Sequence, residues 1–189
     1  MPAGAAKTMT VDEFLLWQQG QEERYELIEG VPVRMMTGAS TQHDRIAGNI
    51  FADLHNQLEG SPCWPATADV GIRTRLRSLR RADVLVTCDE PRADAFEAHE
   101  PKMVVEVLSP SNKGLGWQRK LEEYRQHPGL LYLLLVDSEQ PQATLVAREG
   151  ERWVPADFDG LEETIALDGI GCRLEMARMY RGVTFERPP

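Results

Sequence analysis

The sequence predicts an α/β domain: a mixed sheet flanked by helices and extended by antiparallel hairpins. Two observations carry this. Stretches with apolar residues at helical spacing alternate with short, β-branched apolar runs, an order that builds a sheet covered by helices. Two Glu-Gly pairs, Glu29-Gly30 and Glu149-Gly150, sit between strand-like segments and mark hairpins.

Each element has its own signal. Thr10-Val-Asp-Glu13 is a capping-box pattern ahead of Phe14, Leu15, Leu16 and Trp17, which predicts a helix from Val11 to Gln19. Tyr25–Ile28 and Val31–Met36 form the first hairpin, and Pro32 confines the second strand to an edge. Ile46, Ile50, Leu54 and Leu58, with Ala47 and Phe51, predict a long helix from Thr41 or Gln42 to Leu58, closed by Gly60 and Pro62. Strands follow at Val70–Arg75, Ala82–Cys88 and Lys102–Leu108, and the polar segment Asp89–Glu100 is expected to be a mobile surface loop. Leu115–Gln126 carries Trp117, Leu121 and Tyr124 on one face and stops at His127-Pro128-Gly129, so it reads as a helix. Leu130–Val136 gives a buried strand, and Gln142–Ala147 with Arg152–Val154 a second hairpin.

The 189 residues fit one domain, 1–189, with residues 1–9 expected to be flexible. A hydrophobic fraction of 42% and a charged fraction of 27% are ordinary for a globular chain. No apolar stretch approaches the roughly 18 residues of a spanning helix, and the first residues lack the apolar core of a signal peptide. Cys63, Cys88 and Cys172 are scattered and form no Cys-x-x-Cys, so a cytoplasmic protein with free thiols and no structural zinc is expected. The net charge of -9 argues against coating nucleic acid by bulk electrostatics. Arg73, Arg75, Arg77, Arg80 and Arg81 nevertheless fall within nine residues that contain no acid, either a solvated hairpin or a local nucleic-acid-binding patch.

Chemistry concentrates at two strands. Glu106 stands alone in Met103-Val-Val-Glu-Val-Leu108, where an ionised carboxylate needs a cation beside it. Asp83 precedes a similar run, and Lys120 lies beside the Trp117, Leu121 and Tyr124 stripe, turned toward the sheet, with Arg119 on the opposite side. Two strand carboxylates suit a hard cation such as Mg²⁺, and a lysine beside them can position water or stabilise phosphoryl charge. A buried Glu106–Lys120 ion pair without catalysis reads equally well from spacing alone.

Arg24-Tyr-Glu-Leu-Ile-Glu-Gly30, His43 at the head of the long helix, Ala-Asp83, Val-Val-Glu106-Val-Leu-Ser-Pro-Ser111 and Lys120-Leu-Glu-Glu-Tyr124 together resemble the Uma-type family of bacterial restriction-endonuclease-like proteins, within the PD-(D/E)XK nuclease superfamily. The resemblance runs from Thr10 to Val136. It implies a restriction-endonuclease-like fold, Asp83 and Glu106 as ligands of Mg²⁺ or Mn²⁺, and Lys120 in place of the usual motif lysine, since Leu108 stands two residues after Glu106. It also places Glu26 and His43 at recurrent positions: Glu26 as an additional acid or a paired strand glutamate, His43 as a ligand or, more simply, a hydrogen-bonded core histidine. Two positions depart from the pattern: Ala82 stands where a proline is usual, and Gly116 where an aspartate is frequent. The expected activity is metal-dependent hydrolysis of DNA, with a catalytically silent binding or interaction module as the alternative. A homodimer is expected from the resemblance and from apolar Phe14, Trp17, Val33 and Met35, which a small domain does not readily cover.

Overall fold

The computed structural model describes residues 8–35, 40–109 and 115–185. The expectations for residues 1–7 and for Met36 lie outside these residues, as do Pro110 and Ser111 at the end of the Glu106 motif.

Helix α1 (Val11–Gln18) begins at the capping box, with the Glu13 N–H donating to Thr10 Oγ1 at 3.2 Å and the Thr10 N–H to Glu13 Oε2 at 2.8 Å. Strands β1 (Tyr25–Ile28) and β2 (Val31–Arg34) pair antiparallel around Glu29-Gly30. Both turn residues have positive φ, 49° and 84°, as a type I′ hairpin requires. Helix α2 spans Thr41–Gln57, followed by β3 (Trp64–Thr67), β4 (Gly71–Arg75), β5 (Ser78–Arg80) and β6 (Val84–Thr87). Next come β7 (Glu97–Ala98), β8 (Pro101–Leu108), α3 (Leu115–Arg125) and β9 (Tyr132–Asp137). The long hairpin β10 (Gln142–Glu149) and β11 (Arg152–Asp159) precedes the short pair β12 (Thr164–Leu167) and β13 (Cys172–Glu175) and helix α4 (Met176–Met179).

A six-stranded sheet in the order β11-β10-β9-β8-β6-β3 forms the centre, with β8 and β9 parallel and joined through α3. A five-stranded sheet, β2-β1-β5-β4-β7, lies beside it with β2 at its edge, where Pro32 sits without breaking a ladder. In the central sheet the inner strands β6 and β8 are buried on both faces, which explains their near-continuous apolar runs, whereas β11 at the edge is largely exposed. On one face Ile46, Ile50 and Leu54 of α2 pack with Val105, Val107 and Met176; on the other Tyr124 of α3 packs with Leu85, Val104 and Leu133. Strand alternation puts Glu106 on the same side as Val104, the α3 side.

Four expectations change. Strands β3 and β5 were not anticipated, and the segment expected to be a surface loop contains β7, paired parallel with β4. Arg80 and Arg81 are buried, so they are not part of a solvated hairpin. Cys63 and Cys88 are joined in a disulfide, and of the three cysteines Cys172 alone is free. The disulfide follows from the β3–β6 register: Trp64 faces Thr87, and one step outward the two cysteines face each other with Cα atoms 3.9 Å apart. Finally, Phe14 is fully buried beneath α1 and Trp17 packs on the same cluster, whereas Val31 and Val33 on the β2 edge remain exposed. Among the described residues no helix is long and apolar enough to cross a membrane.

Candidate active site

Asp83 occupies the bend leading into β6. Val84 faces Val105 in the antiparallel register, so one further step sets Asp83 opposite Glu106. Asp83 Oδ2 accepts from the Val107 N–H at 2.8 Å and from His43 Nε2 at 3.2 Å. His43 arrives from the first turn of α2, whose start is fixed by Ser40 accepting from the His43 backbone N–H.

Glu106 Oε1 accepts from Lys120 Nζ at 2.8 Å and from the Tyr124 hydroxyl at 2.9 Å. Lys120 and Tyr124 lie one helical turn apart on α3, so one face of that helix delivers both donors. The ammonium of Lys120 also donates to the Arg81 carbonyl at 2.7 Å and lies 3.2 Å from Glu26 Oε1. Glu26, in β1, is held in turn by the Arg81 N–H at 2.9 Å and by Arg80 Nη1 at 3.0 Å. Arg80 forks onto buried Glu123 at 2.7 and 2.9 Å. A continuous chain of ion pairs thus ties β1, β5, β8 and α3 together behind the site.

The electrostatics follow from burial. Desolvation pushes the Glu106 carboxyl up to about 7; Lys120 pulls it down, and Asp83 across the strand pair pushes it further up. Burial pulls the Lys120 ammonium down, but Glu106 and Glu26 more than compensate and hold it above its usual range. His43 is raised by its hydrogen bond to Asp83, against the opposing effect of burial.

The two acids are only partly satisfied by the protein. Among the described residues the contacts of Asp83 fall on Oδ2 and those of Glu106 on Oε1, which leaves Oδ1 and Oε2 for another ligand. No group of three or more His, Cys, Asp or Glu among the described residues is arranged to hold a metal. A cleft of about 670 Å³ opens on Asp83 and His43, walled by Arg24, Met35, Gly48 and Phe51.

Asp83, Glu106, Lys120, Glu26 and His43 therefore belong to one linked cluster. Arg73, Arg75 and Arg77 are engaged elsewhere: Arg73 with Glu97 and Asp12, Arg75 with Gln126 at 3.1 Å, Arg77 with Thr8 at 2.6 Å. Tyr124 reads from the sequence as a packing residue, Arg80 as one of a basic patch ahead of Asp83, and Glu123 only as part of the Lys120–Tyr124 motif. The spacing of Lys120 and Tyr124 was the available signal for Tyr124.

The family profile described as "Uma2: Putative restriction endonuclease" matches residues 11–177. The chain belongs to the Uma2 family. Its relatives include the uncharacterized protein slr1290 of Synechocystis sp., 28% identical over 97% of both chains. A second Synechocystis protein, the uncharacterized sll1609, is 26% identical over 85% of this chain and 93% of its own. Among solved structures, the chain is similar to a "putative nuclease belonging to DUF820" from Anabaena variabilis, with a TM-score of 0.71, 17% identity, and coverage of 91% of this chain and 97% of that one. The Uma2 chain thus has the restriction-endonuclease-like fold of the PD-(D/E)XK superfamily, a mixed sheet flanked by helices with added hairpins.

Proposed function

We propose that the protein is a metal-dependent endonuclease hydrolysing DNA phosphodiester bonds, with Asp83 and Glu106 holding Mg²⁺ or Mn²⁺ and Lys120 acting on the reacting groups. The supporting observation is that Asp83, one step before β6, lies opposite Glu106 of β8, each with one oxygen left over among the described residues, in a cluster where three acids meet one ammonium and one histidine. Mg²⁺ is commonly held by one or two carboxylates and completes its shell with water and substrate phosphate, a donor set that Asp83 and Glu106 can supply. A bound divalent ion supplies Lewis acidity toward water and phosphoryl oxygens. The chain's residues do the placing: Tyr124 and Lys120 fix one oxygen of Glu106, and the Val107 N–H and His43 fix one oxygen of Asp83.

The second reading, a nuclease-fold module without turnover, is favoured by the net charge of -9 and by Gly116 where an acid is frequent. For DNA to dock, Arg75 and Arg77 are the better-placed cations of their ridge, because their partners Gln126 and Thr8 are neutral whereas Arg73 is matched by Glu97 and Asp12.

Calorimetric titration with Mn²⁺ separates the two readings. The native chain is expected to bind the ion, and Asp83→Ala and Glu106→Ala to lose that binding while remaining folded; no heat from a folded native chain refutes the enzyme reading. A homodimer, in which the exposed β2 edge carrying Val31 and Val33 is covered, belongs to the same proposal. Light scattering should give twice the chain mass, and a monomer at micromolar concentration removes the claim.

A further inference from the structure

An ammonium has three N–H donors. Lys120 has three acceptors around it: the Arg81 carbonyl at 2.7 Å, Glu106 Oε1 at 2.8 Å and Glu26 Oε1 at 3.2 Å. All three donors are therefore committed, and Lys120 can reach a phosphoryl oxygen or a water only by leaving one acceptor. The Arg81 carbonyl is backbone and has no freedom to follow. Glu26 is the longest contact and the acceptor least dependent on Lys120, because the Arg81 N–H still serves Oε1 and Arg80 still serves Oε2.

The same contacts bear on what Glu26 does. Both of its oxygens already receive charged or backbone donors, unlike Asp83 and Glu106, each of which has one oxygen without such a contact among the described residues. Burial alone pushes the Glu26 carboxyl up, but Lys120, the Arg81 N–H and Arg80 together hold it below the usual range, as an anion saturated by protein donors. We propose that Glu26 is a positioning residue for Lys120 and not a metal ligand. It holds the ammonium beside Glu106 in the resting protein and yields the third N–H when substrate arrives. This rests on the nuclease reading for its consequence, although the contact itself exists without metal or DNA.

The test uses the full chain and the variants Glu26→Gln, which keeps an acceptor for the Arg81 N–H but removes the charge, and Glu26→Asp, which keeps a charge for Arg80 on a shorter arm. Thermal melting first confirms that each is folded. In ¹⁵N spectra of the metal-free protein, the Lys120 ammonium signal, assigned by its loss in Lys120→Ala, should be resolved in the native chain and lost to water exchange in Glu26→Gln. Mn²⁺ affinity in Glu26→Gln should match the native value, while kcat for DNA cleavage falls about tenfold with KM unchanged, and Glu26→Asp recovers part of the loss. A Glu26→Gln protein with an unaltered Lys120 signal and lost Mn²⁺ binding would make Glu26 a ligand and overturn the proposal. Should the native chain cut no DNA with any ion, the nuclease reading fails, and the ammonium spectrum still decides whether Glu26 holds Lys120.

Discussion

Glu123→Ala is expected to destabilise the fold by about 3–5 kcal/mol, the usual consequence of leaving a buried charge without its partner. Glu123 is 0% exposed and Arg80 3% exposed, and they meet through two parallel hydrogen bonds. Thr74 Oγ1 adds a third contact at 3.1 Å and Arg119 Nε a fourth at 3.3 Å. Without Glu123 the guanidinium keeps only Glu26 Oε2, on a carboxylate whose charge it already shares with Lys120 at Oε1. Urea unfolding of native and variant chains measures the loss. The pH dependence has a definite sign. Burial raises the Glu123 carboxyl, Arg80 and Thr74 outweigh it, and the folded value lies below 4.5. Glu123 is thus one group whose stabilisation is fully present above pH 4.5 and disappears as pH falls through the depressed folded value. The native chain should lose that contribution in acid, whereas the Glu123→Ala chain, already without it, should show a shallower acid limb between pH 4.5 and its unfolding.

Lys120→Ala should lower DNA cleavage by roughly 10²- to 10³-fold while leaving Mn²⁺ binding nearly intact, because the carboxylates hold the ion and the ammonium acts on water or developing phosphoryl charge. Asp83→Ala and Glu106→Ala should instead lose binding and cleavage together. The lysine variant has a structural cost that must be separated from the catalytic one. In the metal-free chain it leaves the Arg81 carbonyl without its donor, Glu106 with only Tyr124, and Glu26 with only Arg80 and the Arg81 N–H. Melting should accordingly show a drop in Tm that added Mn²⁺ partly reverses, since the ion compensates the same carboxylates. Native rates in folded, metal-loaded Lys120→Ala would return the lysine to a purely structural role.

Much of this arrangement was visible in the residues themselves. A lone acid in an apolar strand announces a buried partner, and helical periodicity puts Lys120 on the sheet-facing side of α3; the Glu106–Lys120 pair follows from those two facts. The capping box at Thr10 and the Glu29-Gly30 turn likewise fixed α1 and the first hairpin through local chemistry. What escaped depends on partners distant in sequence. Strand β5 is Ser78-Leu79-Arg80 among arginines, a composition that reads as solvated; it is buried because Glu123 and Glu26, 43 and 54 positions away from Arg80, neutralise it. Strand β3 contains Trp64-Pro65 and carries no alternation, so the disulfide that its register dictates was invisible as well. Glu26 lies in a hairpin that by itself suggests solvent, and only the approach of Arg80, Arg81 and Lys120 turns it inward.

The central claim is that Asp83, Glu106 and Lys120 form a working metal-dependent site, and incubation of the purified chain with supercoiled DNA tests it most directly. Linear and single-stranded DNA in parallel reactions, each with Mg²⁺, Mn²⁺ or excess chelator, define the strand preference. Nicking or linearisation is expected from the native chain with Mg²⁺ or Mn²⁺, none with chelator, and none from Glu106→Ala purified identically. Intact DNA with every ion, from a folded chain that binds Mn²⁺, would contradict the account, as would equal cleavage by Glu106→Ala.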